Sequence, residues 1–147
     1  MKIVIEVGYK EGIFDAIGEG IKRDIMDLGI DCVKNVKFLQ LYKLEGRIGR
    51  KTLDFICQNI LVDPVTQFFG IVGKKKKNGS SIEVWYKPGV TDAVGESVKK
   101  AIEDVGMKGV QCVWSGKKYI IEGRVDKKTL QDIASKLLAN AVVEDYY

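Results

Sequence analysis

Apolar residues recur along this chain with a helical period in four places. Ile17, Ile21, Ile25 and Leu28 are spaced by three or four positions, as are Val94, Val98, Ile102 and Val105. That spacing stacks each set on one helix face. A second pair of stripes runs through Leu53, Ile56, Cys57, Ile60 and Leu61, and through Leu130, Ile133, Ala134, Leu137 and Leu138. Between the stripes lie short runs rich in β-branched and aromatic residues, which read as strands. Residues 3–9 and 82–86 are the first strand of each set. Strands two and three follow at 33–36 and 38–44, and again at 110–114 and 119–122.

Local signals punctuate these elements at the expected places. Lys10-Glu11-Gly12 and Lys87-Pro88-Gly89 end the first strands, and Pro followed by Gly suits a type II turn. Asp15 and Asp92 stand where helix N-caps belong, and Gly29 and Gly106 where a helix-ending glycine belongs. Each half therefore reads β-α-β-β-α with room for a last strand. Both helices carry one apolar face, so both should lie on the same side of an antiparallel sheet. This is α+β, of the ferredoxin-like, split β-α-β type.

The two halves are copies. A shift of 77 positions lays Glu6-Val7-Gly8-Tyr9-Lys10-Glu11-Gly12 on Glu83-Val84-Trp85-Tyr86-Lys87-Pro88-Gly89 without a gap. The same shift superimposes Asp15-Ala16-Ile17-Gly18-Glu19 on Asp92-Ala93-Val94-Gly95-Glu96, and Glu45-Gly46-Arg47 on Glu122-Gly123-Arg124. Such self-similarity marks a tandem repeat. Residues 1–72 form the first repeat and 82–147 the second. Residues 73–81, Gly-Lys-Lys-Lys-Lys-Asn-Gly-Ser-Ser, read as a solvated linker. A module of some 70 residues buries only about 60% of its unfolded surface and is marginal alone. The repeats are therefore expected to associate about a pseudo-two-fold, as a covalent form of a homodimer.

Composition narrows the function. A net charge of +4 is mild, and four of the lysines lie in the linker, so nucleic acid is not an expected partner. No apolar run is long enough to cross a bilayer, and Met1-Lys2-Ile3-Val4-Ile5 opens directly as a strand, without a signal-peptide pattern. No membrane partner is expected. Three cysteines without a C-x-x-C spacing fit reduced thiols and a cytoplasmic location.

The chain has no histidine, so it cannot form a Ser-His-Asp or Cys-His site by itself. Cys57 lies on a helical apolar stripe opposite Ala134, and burial as a small hydrophobe is its expected role. The same reading extends to Cys32 and Cys112. No cluster of metal ligands stands out, so neither a metal nor a cofactor is expected in this chain. Gly18 and Gly95 sit in the first turn of a helix, where a phosphate could bind. The phosphate-loop spacings are missing, and close helix-on-strand packing is the preferred reading. The repeated Glu-Gly-Arg string is expected to end a strand, with its charges either ion-paired or holding an anion. Trp85 faces Gly8 in the alignment, an asymmetry that points to an interface.

The second repeat resembles PurS subunits of phosphoribosylformylglycinamidine synthase. The likeness is carried by Lys87-Pro88-Gly89-Val90-Thr91-Asp92, by Gly116-Lys117-Lys118-Tyr119-Ile120-Ile121-Glu122, and by Asn140-Ala141-Val142-Val143-Glu144-Asp145-Tyr146. The family's Asp-Pro and Asn-Pro pairs appear here as Asp92-Ala93 and Asn140-Ala141. The first repeat keeps Asp63-Pro64-Val65 but has Gln67-Phe68-Phe69 for Glu-Asp-Tyr. The doubling is similar to the N-terminal region of the long single-chain synthase. The resemblance implies an accessory subunit of an ATP- and glutamine-dependent ligase in purine biosynthesis, not catalytic alone. It would bridge the synthetase and glutaminase subunits, and self-association into a homodimer stays open. Lys87, Gly89, Asp92, Trp85, Glu144, Asp145 and Tyr146 are the interface candidates, with no catalytic residue among them. A regulatory module of ferredoxin-like type, binding a small molecule, is the alternative.

Overall fold

The structure, a computed structural model, describes residues 2–72 and 80–147. Most of the 73–81 linker therefore lies outside the described residues, while Ser80 and Ser81 already belong to a strand.

In chain order the elements are β1 (Lys2–Tyr9), α1 (Ala16–Asp27), β2 (Val33–Gly46), α2 (Arg50–Ile56), β3 (Gln67–Ile71), β4 (Ser80–Tyr86), α3 (Ala93–Asp104), β5 (Val110–Gly123), α4 (Lys127–Ile133) and β6 (Glu144–Tyr146). Helices α2 and α4 each continue into a π-helical turn, Cys57–Leu61 and Ala134–Leu138. The described strands form a six-stranded sheet in the order β3-β1-β2-β5-β4-β6. β1 runs antiparallel to both β2 and β3, and β4 runs antiparallel to β6.

One expectation is corrected. Strands two and three of each repeat are not a hairpin but a single strand of 14 residues, Val33–Gly46 and Val110–Gly123. The physical reason is in the backbone between the two runs. Lys37 lies between the two runs in the first repeat, and Ser115-Gly116-Lys117-Lys118 in the second. Neither break adopts the positive φ at a central turn residue that a tight hairpin needs.

The long strands change how the repeats fold. The chain forms two compact units, and neither is one repeat. The described residues of the first unit are 2–13, 40–72 and 91–116, and those of the second are 14–39, 80–90 and 117–147. Each long strand gives half its length to each unit. The first unit thus holds β1, α2 and β3 of the first repeat, with α3 of the second. Its core joins Ile5, Val7, Leu44, Ile56, Cys57 and Leu61 to Ile102 and Val113. The second unit holds β4, α4 and β6 with α1 of the first repeat. There Ile25, Val33 and Val36 pack with Ile82, Val84, Ile121, Ile133 and Leu138. Each repeat lends its first helix to the unit built on the other's sheet.

The helical stripes are buried at their centres and open at their ends. Ile25 and Ile102 are fully enclosed, whereas Ile17, Leu28, Val94 and Val105 are about half exposed. The N-caps form as expected: Asp15 accepts from the Gly18 N–H and Asp92 from the Gly95 N–H. Gly29 and Gly106 take the positive φ of 85° and 81° that ends each helix. Gly18 and Gly95 are packing glycines, because a Cβ there would run into the carbonyl oxygens of Val36 and Val113. Cys57 is buried, as expected. Cys112 is exposed and Cys32 half-buried, which corrects the reading extended to them. Cys112 is on β5 but not on its core-facing side, where Val113 is.

Candidate functional site

Five of the seven interface candidates come together in the second unit, where β6 closes the sheet beside β4. Tyr86 pairs with Glu144, Trp85 with Asp145, and Val84 with Tyr146. Lys87 follows β4, and its N–H donates to the Val143 carbonyl at 2.8 Å. Its ammonium lies 3.7 Å from Asp145, both groups being substantially exposed. Gly89 closes the turn just beyond. The Val90 N–H reaches back to the Lys87 carbonyl at 3.1 Å, and Gly89 has φ 85°, as position three of a type II turn requires.

The tail is shaped by Asn140, which is not among the interface candidates and stands in the sequence only as part of a matched string. Asn140 accepts the N–H groups of Val143 and Glu144 on its carbonyl, and that of Val142 on its side chain. Glu144 answers by accepting the Asn140 N–H at 2.9 Å. The first repeat does the same with Asp63 and Gln67: Thr66 and Gln67 donate to the Asp63 carbonyl, and Asp63 N–H donates to the Gln67 side chain at 2.8 Å. Asp or Asn followed four residues later by Gln or Glu is the signal that could have revealed this turn.

Behind each tail is a hollow. In the second unit it is lined by Lys87, Ser135, Ala139, Ala141 and the β6 residues, with a volume of 190 Å³. In the first unit the same positions recur 77 places earlier, Lys10, Gln58, Val62, Pro64, Gln67, Phe68 and Phe69, around a larger hollow of 520 Å³. Lys10 there hydrogen-bonds the Pro64 carbonyl.

Asp92 does not join the group, since it belongs to the first unit. It is buried and accepts three hydrogen bonds, from the N–H groups of Gly95 and Ser115 and from Ser115 Oγ at 2.7 Å. A serine hydroxyl on a buried carboxylate resembles half of a nucleophile-base pair. Here the carboxylate is spent on holding the start of α3 to β5, and Ser115 is itself buried. The pair positions a helix. Its counterpart Asp15 accepts from Gly18 and Phe38 backbone N–H groups.

Tyr119 and Cys57 are equally structural. Burial pushes the Tyr119 phenol up to about 12, with Glu144 adding to the shift. Phe38 lies against that ring at a centroid distance of 5.5 Å. Burial, aided by Asp54, pushes the Cys57 thiol up to about 11, so it is a poor nucleophile at neutral pH. In the repeated Glu-Gly-Arg string the glycines do end β2 and β5. A Cβ on Gly46 would strike the Gly109 carbonyl oxygen, and one on Gly123 that of Cys32. Glu122 pairs with the exposed Lys37 at 3.4 Å. Trp85 is half-buried, with its indole N–H directed to Glu83 at 3.3 Å. Among the described residues no three cysteines or carboxylates gather as a metal site would need.

These features define a class, a repeated α+β protein whose distinctive surface is a pair of sheet edges. The comparisons take the step to a family. The family model for PurS, described as phosphoribosylformylglycinamidine (FGAM) synthase, matches residues 2–74 and again 80–147. The chain belongs to the PurS family, as two tandem copies. No curated protein matches it.

Proposed function

We propose that this chain is an accessory subunit of FGAM synthase, joining the subunit that does the ATP chemistry to the one that releases ammonia from glutamine. The observation that carries this is the family match over both repeats. Its support in the structure is that the Asp92–Ser115 pair is buried and caps a helix, while Cys57 and Tyr119 are buried in the two cores. The second unit's edge, with Lys87, Trp85, Glu144, Asp145 and Tyr146, is the surface offered to a partner subunit. A short strand ending a sheet leaves backbone groups for a neighbouring chain to use. A cytoplasmic location goes with this reading, and no described helix is long and apolar enough to cross a membrane.

Each unit reads as a ferredoxin-like arrangement in which a helix and half a strand are lent by the other repeat. In the first unit this is supported by the strand sequence β3-β1-β2-β5 with α2 and α3.

The test is reconstitution. Co-expressed with the synthetase and glutaminase subunits, the chain co-purifies with both and is required for glutamine-dependent FGAM synthesis. Alone it hydrolyses neither glutamine nor ATP. Deleting residues 144–147 weakens the complex while the melting temperature holds within a few degrees. Glutamine hydrolysis by the chain alone, or full synthase activity without it, would overturn the proposal.

A further inference from the structure

The first unit's outer strand carries its own message. β3 is the end of the sheet order, and residues 65–72, Val-Thr-Gln-Phe-Phe-Gly-Ile-Val, contain no charge and no proline. Val65 is 77% exposed, Phe68 47%, Ile71 54% and Val72 37%. Natural sheets guard such edges with charge, proline or brevity. β6 is guarded in this way by Glu144 and Asp145 and by its three residues.

The ladder shows which backbone groups are offered. Val72 N–H bonds to the Val4 carbonyl and Lys10 N–H to the Thr66 carbonyl. Given the register of β1 with β3, the bonded pairs alternate, so residues 68 and 70 bond inward while 67, 69 and 71 face outward. The Gln67 N–H is taken by the Asp63 carbonyl. Among the described residues, what remains is the Gln67 carbonyl and both backbone groups of Phe69 and Ile71.

We infer that β3 is a self-association edge, pairing antiparallel with β3 of a second copy of this chain about a two-fold axis at Phe69. In that register Phe69 faces Phe69 of the second copy and the two exchange a pair of hydrogen bonds. The Ile71 N–H meets the Gln67 carbonyl of the second copy, twice by symmetry, which makes four bonds in all. Phe68 falls opposite Gly70, so an exposed ring covers a bare backbone on each side, a pairing that favours sheets. The absence of charge favours a second copy as the occupant. Laid against itself β3 opposes no like charges, whereas β6 laid against itself would oppose its two acids. A C2 contact of this kind is self-complementary and closes at a dimer.

Sedimentation of the intact chain over a range of concentrations is the test. The wild type is expected to form dimers. Ile71→Lys and Phe68→Lys should each weaken dimerisation at least tenfold, and Tyr146→Lys on the other edge should leave it unchanged. Circular dichroism and melting confirm that each variant folds. A cysteine experiment fixes the register in a Cys32→Ser, Cys112→Ser background. Chains carrying Gln67→Cys mixed with chains carrying Ile71→Cys should cross-link, because opposed residues lie about 5.5 Å apart at Cα. Neither should cross-link with itself, the like positions being about 13 Å apart. A monomeric wild type, a dimer indifferent to both lysines, or self-cross-linking of either cysteine chain would overturn the inference. The outcome is independent of whether synthase subunits bind.

Discussion

In the first unit the outermost strand reads Gln67-Phe68-Phe69-Gly70-Ile71, and in the second it reads Glu144-Asp145-Tyr146. The two occupy equivalent positions, are led in by the same turn, and back onto equivalent hollows. Their chemistry and their length differ. Phe68 holds an apolar ring outward where Asp145 holds a carboxylate that pairs with Lys87. Duplication within one chain removes the constraint that two identical subunits face, that every edge be the same. One edge can then be charged and short while the other is apolar and long. The difference teaches that backbone architecture fixes where an edge lies, and a few side chains fix what it can meet.

The units also differ inside, and substitutions there sharpen the comparison. The largest effects belong to the cores. Ile56→Ala and Ile133→Ala, both fully enclosed, should each cost about 3–4 kcal/mol, measured by chemical denaturation. Hydrogen exchange should show Ile56→Ala loosening α3 along with α2, since Ile102 shares that core. Equal loosening of α1 instead would break the comparison. Next come the packing glycines. Gly18→Ala and Gly95→Ala push a methyl group against a backbone carbonyl and should cost about 1–3 kcal/mol.

The caps should separate the units further. Asp92→Ala leaves Ser115 and Gly95 without their buried partner and should cost about 2 kcal/mol. Asp15→Ala should cost about 1 kcal/mol, because its carboxylate is less enclosed and serves no hydroxyl. Alkaline pH gives a smaller, graded effect. Cys57 and Tyr119 both have pKa values raised by burial, from 9.0 to about 11 and from 10.0 to about 12. Each favours the folded state while neutral, so its contribution is complete below the ordinary value and is lost as pH rises through the raised one. Melting curves should fall first through the Cys57 window and then through the Tyr119 window. Cys57→Ala should remove the first step and Tyr119→Phe the second. The smallest effect is Glu122→Gln, which breaks an exposed pair with Lys37 and should change stability by less than about 0.5 kcal/mol.

Much of this was legible in the sequence. Period and punctuation located the four helices, the first strands, both N-caps and the helix-ending glycines, because those signals are local. The 77-residue shift located the repeats for the same reason. The exchange between repeats was not legible. Ile102 carries the same stripe whether it packs over its own repeat's sheet or the other's. The decision rests on whether the segment around Lys37, and that around Ser115-Gly116, bends or continues, and no local turn signal declares it. At the edge, Lys87 and Asp145 were legible as polar ends of matched strings. Asn140 was not, because its work is done by its backbone carbonyl as much as by its side chain.

Methyl NOE spectroscopy on the intact chain tests the exchange of helices most directly. With isoleucine methyls labelled, Ile102 of α3 should show cross-peaks to Ile5 and Ile56 of the first repeat, its companions in one core. Ile25 of α1 should likewise report on Ile82 and Ile133 of the second repeat. Cross-peaks joining Ile102 to Ile133 and Ile25 to Ile56 would mean that each repeat folds on itself, and would contradict the account.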